Sequence, residues 1–174
     1  WRLEESTVPE MAAEPVAIKE ARSSTVADCS LRNGILYAKI PAGKHKLQLD
    51  LGCYYTHLLH LKVLGGTGNA FIRYAECLLT GDLKKGRRDF PENAVFPPEC
   101  SCDELVFTGG NCSFTPFWFR SGRFAELSFD LADGLELELS FEFLTNPLTL
   151  KNPLEFDLPM LNRIADTAWH TLKC

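Results

Sequence analysis

The sequence predicts an all-β fold, an antiparallel β-sandwich of jelly-roll-like kind, followed by one C-terminal α-helix. Three observations carry this expectation. Leu135, Leu137, Leu139, Phe141 and Phe143 alternate with Glu136, Glu138, Ser140 and Glu142, the two-residue period of a strand with one buried face. Turn residues recur at near-regular spacing between apolar runs, at Pro41-Ala42-Gly43, Gly65-Gly66-Thr67-Gly68-Asn69, Thr108-Gly109-Gly110-Asn111, Ser121-Gly122 and Asp133-Gly134. That rhythm suits a sandwich better than a helical or α/β enzyme. From Leu158 the pattern changes: Leu158, Leu161, Ala165, Ala168 and Leu172 recur at helical spacing, and Ile164 and Trp169 widen the stripe.

Taken in order, residues 1–28 are mixed. Pro9, Pro15 and the small pair Ala12-Ala13 predict a linker or edge segment. The β region is expected to begin at Ile35–Ile40 and to turn at Pro41-Ala42-Gly43. Leu47, Leu49 and Leu51 then alternate cleanly with polar residues. In the run Tyr55 to Leu64, Leu59, Leu61 and Val63 face one way and Leu58, His60 and Lys62 the other. The glycine-rich turn 65–69 is expected to close a β-hairpin onto Phe71–Cys77. It is not expected to cradle phosphate, because no helix follows it. Residues 80–100 read as a long irregular loop carrying Lys84, Lys85, Arg87 and Arg88, a solvated excursion by the usual behaviour of such loops. A meander follows, through Glu104–Phe107, Cys112–Trp118, Arg123–Asp130 and Leu135–Phe143. The last strand alone contributes roughly 10 kcal/mol of gross burial, and a one-residue slip would drive its glutamates into the core. Asn146-Pro147 and Asn152-Pro153 end the β pattern. Asp157 is placed to cap the helix and Pro159 suits its first turn. The helix meets no stop signal before Cys174, so it reads as the first helix of a larger unit.

The bulk numbers set limits on function. A length of 174 fits one domain, or one and a fragment, and 45% hydrophobic residues suffice for a core. A net charge of −5 argues against nucleic acid or an anionic membrane as partner, and no apolar run reaches bilayer-spanning length. The opening Trp1-Arg2-Leu3-Glu4-Glu5 has no initiator methionine and reads as a trimmed start. Cys29, Cys53, Cys77, Cys100, Cys102, Cys112 and Cys174 are odd in number and scattered. They read as reduced thiols, which favours a cytoplasmic setting and leaves a periplasmic or secreted one open.

Several residue groups invite chemistry. Cys100-Ser101-Cys102 lacks a second ligand pair at zinc spacing, and His57 and His60 point to opposite faces of a strand. No metal or cofactor is therefore expected. Glu136, Glu138 and Glu142 on one strand face read as a solvated face or polar interface, since glycosidic chemistry needs carboxylates across a cleft. No Gly-x-Ser-x-Gly elbow is present. Tyr54, Tyr55 and Trp118, with Phe119, have the ring faces that stack on sugars, against the plainer expectation that they pack in the sandwich.

Three stretches resemble a known family. The first is Leu47-Gln48-Leu49-Asp50-Leu51-Gly52 with Gly65-Gly66-Thr67-Gly68 and Ile72-Arg73-Tyr74-Ala75-Glu76. The second is Thr108-Gly109-Gly110 through Phe117, with Arg123-Phe124-Ala125-Glu126-Leu127. The third is Phe156, Pro159, Leu161-Asn162-Arg163-Ile164 and His170-Thr171-Leu172. Their order and spacing resemble the α-L-rhamnosidases of glycoside hydrolase family 78, and Trp1-Arg2-Leu3 and Pro9 resemble the linker out of an earlier domain. Gly52-Cys53-Tyr54-Tyr55-Thr56, the loop 80–100 and the corner Phe119 to Gly122 depart from the pattern. The resemblance implies that the helix begins a missing (α/α)6 barrel, that this downstream catalytic domain holds the acid and base carboxylates, and that the reaction is inverting hydrolysis of terminal α-L-rhamnosides. No catalytic position of the family falls in these residues. The expected organisation is a linker or edge segment (1–28), a β-sandwich domain (29–150), and a linker with the first helix of the catalytic domain (151–174). The chain is then a non-catalytic module of an enzyme acting on a rhamnose-containing glycan, inactive alone. The other readings are a carbohydrate-binding module recognising a plant or bacterial glycan by itself through Tyr54, Tyr55 and Trp118, and a stand-alone interaction domain.

Overall fold

The computed structural model describes residue 4 and residues 9–23, 25–26, 28–79 and 95–174. The basic run Lys84 to Arg88 and the opening Trp1-Arg2-Leu3 lie outside them. Among the described residues eight strands and one helix follow in order: β1 (Ala12–Val16), β2 (Glu20–Arg22), β3 (Asp28–Arg32), β4 (Ile35–Ile40), β5 (Gly43–Ala75), β6 (Ser101–Thr108), β7 (Cys112–Phe114), β8 (Arg120–Thr145) and α1 (Pro159–Lys173). All pairings between strands are antiparallel.

β5 and β8 are too long to be single straight strands, and each serves both layers of the sandwich. One layer places β2, residues 43–50 of β5, residues 124–131 of β8, residues 67–75 of β5 and β6 side by side. The other places β3, β4, residues 135–139 of β8, residues 57–65 of β5 and β7 side by side, with β1 beside residues 141–145 of β8. Leu47, Leu49, Ile72, Leu127 and Phe129 of the first layer and Leu36, Leu59, Leu61, Leu139 and Phe141 of the second share one core. The alternation in Leu135–Phe143 holds: its apolar residues are buried and its glutamates face outward.

The expected hairpin at the glycine run is corrected. Residues 57–65 lie between β8 and β7, and residues 67–75 lie between β8 and β6. Both edges of each run are taken, so the two cannot pair with one another. The glycines instead form a corner that carries the chain from one layer to the other. Gly68 has φ +134, and a Cβ there would stand 2.3 Å from the carbonyl oxygen of Asp130, so only glycine lets the corner close. The expected meander is corrected in the same way. The turns at 109–111 and 133–134 also pass between layers, which is the topology of a jelly roll rather than of successive hairpins.

A true hairpin lies earlier, between β3 and β4, where Leu31 pairs with Leu36 and Arg32 with Ile35. Its turn is Asn33-Gly34, with φ of 52 and 78, the positive pair that a two-residue primed turn requires. That dipeptide was the available signal for strand structure before Ile35. The helix begins at Pro159, as its periodicity implies, but Asp157 does not cap it. Leu158 occupies the cap position and makes no side-chain cap hydrogen bond.

Candidate functional site

The family-like motifs of the first two stretches meet on adjacent strands of the first layer. Gln48 pairs in register with Glu126, Arg73 pairs with Glu126, and Asp50 and Ala75 both pair with Phe124. On the outer face the Glu126 carboxylate accepts from Gln48 Nε2 at 2.7 Å and from the Arg73 guanidinium. Asp50 accepts from Arg123 Nε at 2.7 Å and Nη2 at 2.8 Å, and from the backbone N–H of Gly52 at 2.7 Å. Both carboxylates are buried. Burial pushes each upward in pKa, but the bonds from Arg123 and Gly52 on Asp50, and from Gln48 and Arg73 on Glu126, outweigh it and leave both below the usual range. Each carboxylate already holds at least two donors, and the cluster acts as a brace across three strands.

The third motif shapes the helix and the chain leading into it. Asn162 accepts from the Phe156 N–H at 2.8 Å and donates to the Phe156 carbonyl at 2.9 Å, fixing the bend before α1. The last turn then meets the sandwich. His170 Nε2 donates to the Tyr54 carbonyl at 2.7 Å, the Asn146 N–H donates to the Lys173 carbonyl at 3.1 Å, and Lys173 pairs with Glu14 at 2.8 Å. The Tyr55 ring packs edge-on to both Phe143 (5.1 Å) and His170 (5.2 Å). Cys174 Sγ lies 3.6 Å from His170 Nε2. No residue of α1 is buried; Leu158, Ile164 and Leu172 of the stripe stand exposed, as does Met160 beside it. A shallow cleft of about 480 Å³ runs along Met160, Arg163, Ile164 and Thr167. The helix is thus held by its last turn; Leu161, Ala165 and Trp169 of the stripe are half-buried, while Met160, Ile164 and Leu172 stay exposed.

The aromatic candidates have different fates. Tyr55 is half-buried beneath the helix end. Tyr54 is 39% exposed, beside the same seam. Trp118 is 63% exposed and stacks on Phe119 at 5.1 Å, next to a fully exposed Phe117. Sequence reasoning missed Phe117, whose position after Pro116 beyond the end of β7 could have marked it as a loop residue.

His57 and His60 separate as their spacing requires. His60 bonds Thr115 and Glu142, each at 3.0 Å, on the outer face. His57 is fully buried against Tyr74 and Phe141, and among the described residues neither ring nitrogen has a hydrogen-bond partner. Burial, and then the nearby Arg120 guanidinium, lower its pKa to about 4. Arg120 itself forks onto Asp103. The Tyr74 hydroxyl makes no hydrogen bond of ordinary geometry. Burial, and next the Asp103 carboxylate close by, push its pKa upward. Glu136 and Glu138 are paired with Lys39 and Lys62, each at 2.8 Å. Among the described residues no group of three or more His, Cys, Asp or Glu could hold a metal ion, and no helix is long and apolar enough to cross a membrane. All seven cysteines, including Cys100 and Cys102, are free thiols.

Fold and seam together define a β-sandwich of jelly-roll type with an appended helix anchored at one end. Solved rhamnosidases share this fold. The chain is similar to the rhamnosidase from Klebsiella oxytoca with rhamnose bound, at 13% identity and a TM-score of 0.60, over 94% of this chain and 34% of that one. It is also similar to the GH78 family rhamnosidase of Bacillus sp. GL1, at 17% identity and a TM-score of 0.54, over 72% of this chain and 13% of that one. The chain therefore spans about a third of the first enzyme and less of the second. A family 29 carbohydrate-binding module from Piromyces equi aligns over 75% of this chain and 90% of its own, at 8% identity and a TM-score of 0.41. No family model and no curated protein matches the sequence.

Proposed function

We propose that the chain is the non-catalytic β-sandwich module of an α-L-rhamnosidase-like glycoside hydrolase, and that α1 opens the catalytic domain of the same protein. The observation that carries this reading is the helix itself. It keeps an apolar stripe unburied while its last turn is fastened to the sandwich by His170, Lys173 and Asn146. An isolated helix of this length is marginal in water, and an exposed apolar stripe gains stability when further chain packs on it. The shared fold with the Klebsiella enzyme over nearly all of this chain, and a third of that one, supports the same arrangement. The substrate of the whole protein is then a terminal α-L-rhamnoside, and the acid and base carboxylates belong to the further domain.

Hydrolysis of an aryl α-L-rhamnoside tests this. The expected result is no turnover by residues 1–174 and turnover by a chain extended along its gene through the next domain. Turnover by the short chain would place an active site in the sandwich and overturn the reading. Inactivity of both would remove the rhamnoside as substrate.

The exposed pair Phe117 and Trp118 favours one second reading, a module that binds a glycan by itself. Quenching of tryptophan fluorescence by a rhamnose-containing oligosaccharide, lost in Trp118→Ala, is its expected signature.

A further inference from the structure

We propose that the outer face of the second layer is a binding site for a neutral, polyhydroxylated ligand of one or two sugar rings. The site is separate from the helix seam and does not depend on a catalytic domain. The register of the layer sets out two parallel rows of side chains across it. Ser30, Tyr37, Glu138, Lys62 and Ser113 form one row, and Asp28, Lys39, Glu136 and Leu64 form the next. Between and above them lies a groove of about 350 Å³, within the size range of sites for small ligands. It continues past the shared Lys62 and Glu138 into a second hollow of about 530 Å³ beside His60 and Ser140.

The chemistry of the groove selects a ligand class. Asp28, Glu136 and Glu138 are matched by Arg32, Lys39 and Lys62, so the groove carries no net charge. Lys39, Glu136, Lys62 and Glu138 are already engaged in ion pairs, so a charged ligand drawn to any of these four would compete with an existing partner, whereas a neutral one need not. Lys39–Glu136 and Lys62–Glu138, each at 2.8 Å, join neighbouring strands and hold four charged ends in place. Each ammonium has three donors and each carboxylate about four acceptor positions, of which the ion pair uses a fraction. The remainder suits vicinal hydroxyls, which both donate and accept. Each row also contributes apolar surface. Tyr37 carries the Arg32 guanidinium 5.8 Å from its ring centroid, and Leu64 is 53% exposed. A sugar ring, with an apolar face and a polar rim, matches that division. An open groove and so small a ligand imply a dissociation constant of roughly millimolar order.

Amide shifts of the whole 174-residue chain, titrated with L-rhamnose, L-fucose, D-galactose and D-xylose and with D-glucuronate as the charged control, test the proposal. At least one neutral sugar is expected to give saturable shifts at residues 28–32, 37–39, 62–64 and 136–138, and glucuronate is expected to give much smaller ones. Glu138→Gln and Leu64→Asp, both at outward positions, are expected to weaken binding about tenfold, the first by loss of a hydrogen bond and the second by loss of apolar contact, with the dispersed spectrum of the folded chain retained. Absence of saturable shifts at these amides, equal binding of glucuronate, or shifts centred on Tyr54 or Trp118 would overturn the proposal.

Discussion

His57 carries a cost that only the folded state bears. Its ring is enclosed by Tyr74 and Phe141, and neither nitrogen finds a partner among the described residues. Its folded pKa of about 4 lies below the ordinary value of 6.5, so the unfolded chain takes up a proton first as pH falls. Stability is therefore full above pH 6.5 and declines toward pH 4, by about 3 kcal/mol across that window. His57→Leu is expected to flatten this part of the stability profile in urea titrations. A wild-type profile flat from pH 7 to pH 4.5 would show that the ring is not held neutral. Gly68 is the other single-residue dependence. Gly68→Ala must relieve a 2.3 Å approach to the Asp130 carbonyl at a φ of +134, and is expected to cost at least about 2 kcal/mol in equilibrium unfolding. Neither effect is readable from the sequence. A histidine on an alternating run and a glycine in a glycine-rich turn look ordinary until both layers are in place.

At the scale of elements, the brace joining the motif strands is the informative unit. Arg123→Met strands the buried Asp50 carboxylate and is expected to cost about 3 kcal/mol, with partial recovery in the Asp50→Asn, Arg123→Met double variant. Because both Asp50 and Glu126 titrate below their unfolded values, their contribution is present above about pH 4 and is lost as pH falls further. α1 makes the opposite prediction. Met160→Gln with Ile164→Gln is expected to shift the unfolding free energy by less than about 0.5 kcal/mol, since both side chains stand exposed. His170→Ala is expected to speed amide exchange throughout residues 159–173, because it removes the bond to Tyr54. Much of this level was legible beforehand. Ile35–Ile40 and the leucine alternations fell where periodicity put them, and the helix began at its proline. What was not legible is which strands become neighbours. Gly65 to Asn69 has the composition of a hairpin turn, and only the occupied edges on either side show it to be a corner. Asn33-Gly34 is a dipeptide that makes a true two-residue hairpin, whereas Asp133-Gly134, of the same kind, proves to be a corner between layers. Of the aromatic candidates, Tyr54 and Tyr55 come together at the helix seam, because exposure depends on packing that a single strand does not encode.

For the molecule as a whole, pairing is dominated by partners far apart in sequence, such as Leu47 with Leu127 and Lys39 with Glu136. Loop closure must precede those contacts, so refolding by stopped-flow dilution is expected on a time scale of milliseconds to seconds rather than microseconds. A single phase complete within microseconds would show that local structure dominates. The continuity of β5 and β8 through both layers has a mechanical consequence. A sandwich whose layers are separate ribbons can be peeled, one sheet leaving the other intact. Here each of the two longest strands is the spine of both layers, so tension applied to one is delivered along the backbone to the other. When the chain is stretched between Met11 and Asn146 in an optical trap, β1 is expected to unzip from the end of β8 first, and the rest of the sandwich then to give way in one rip, without the plateau of a half-open structure.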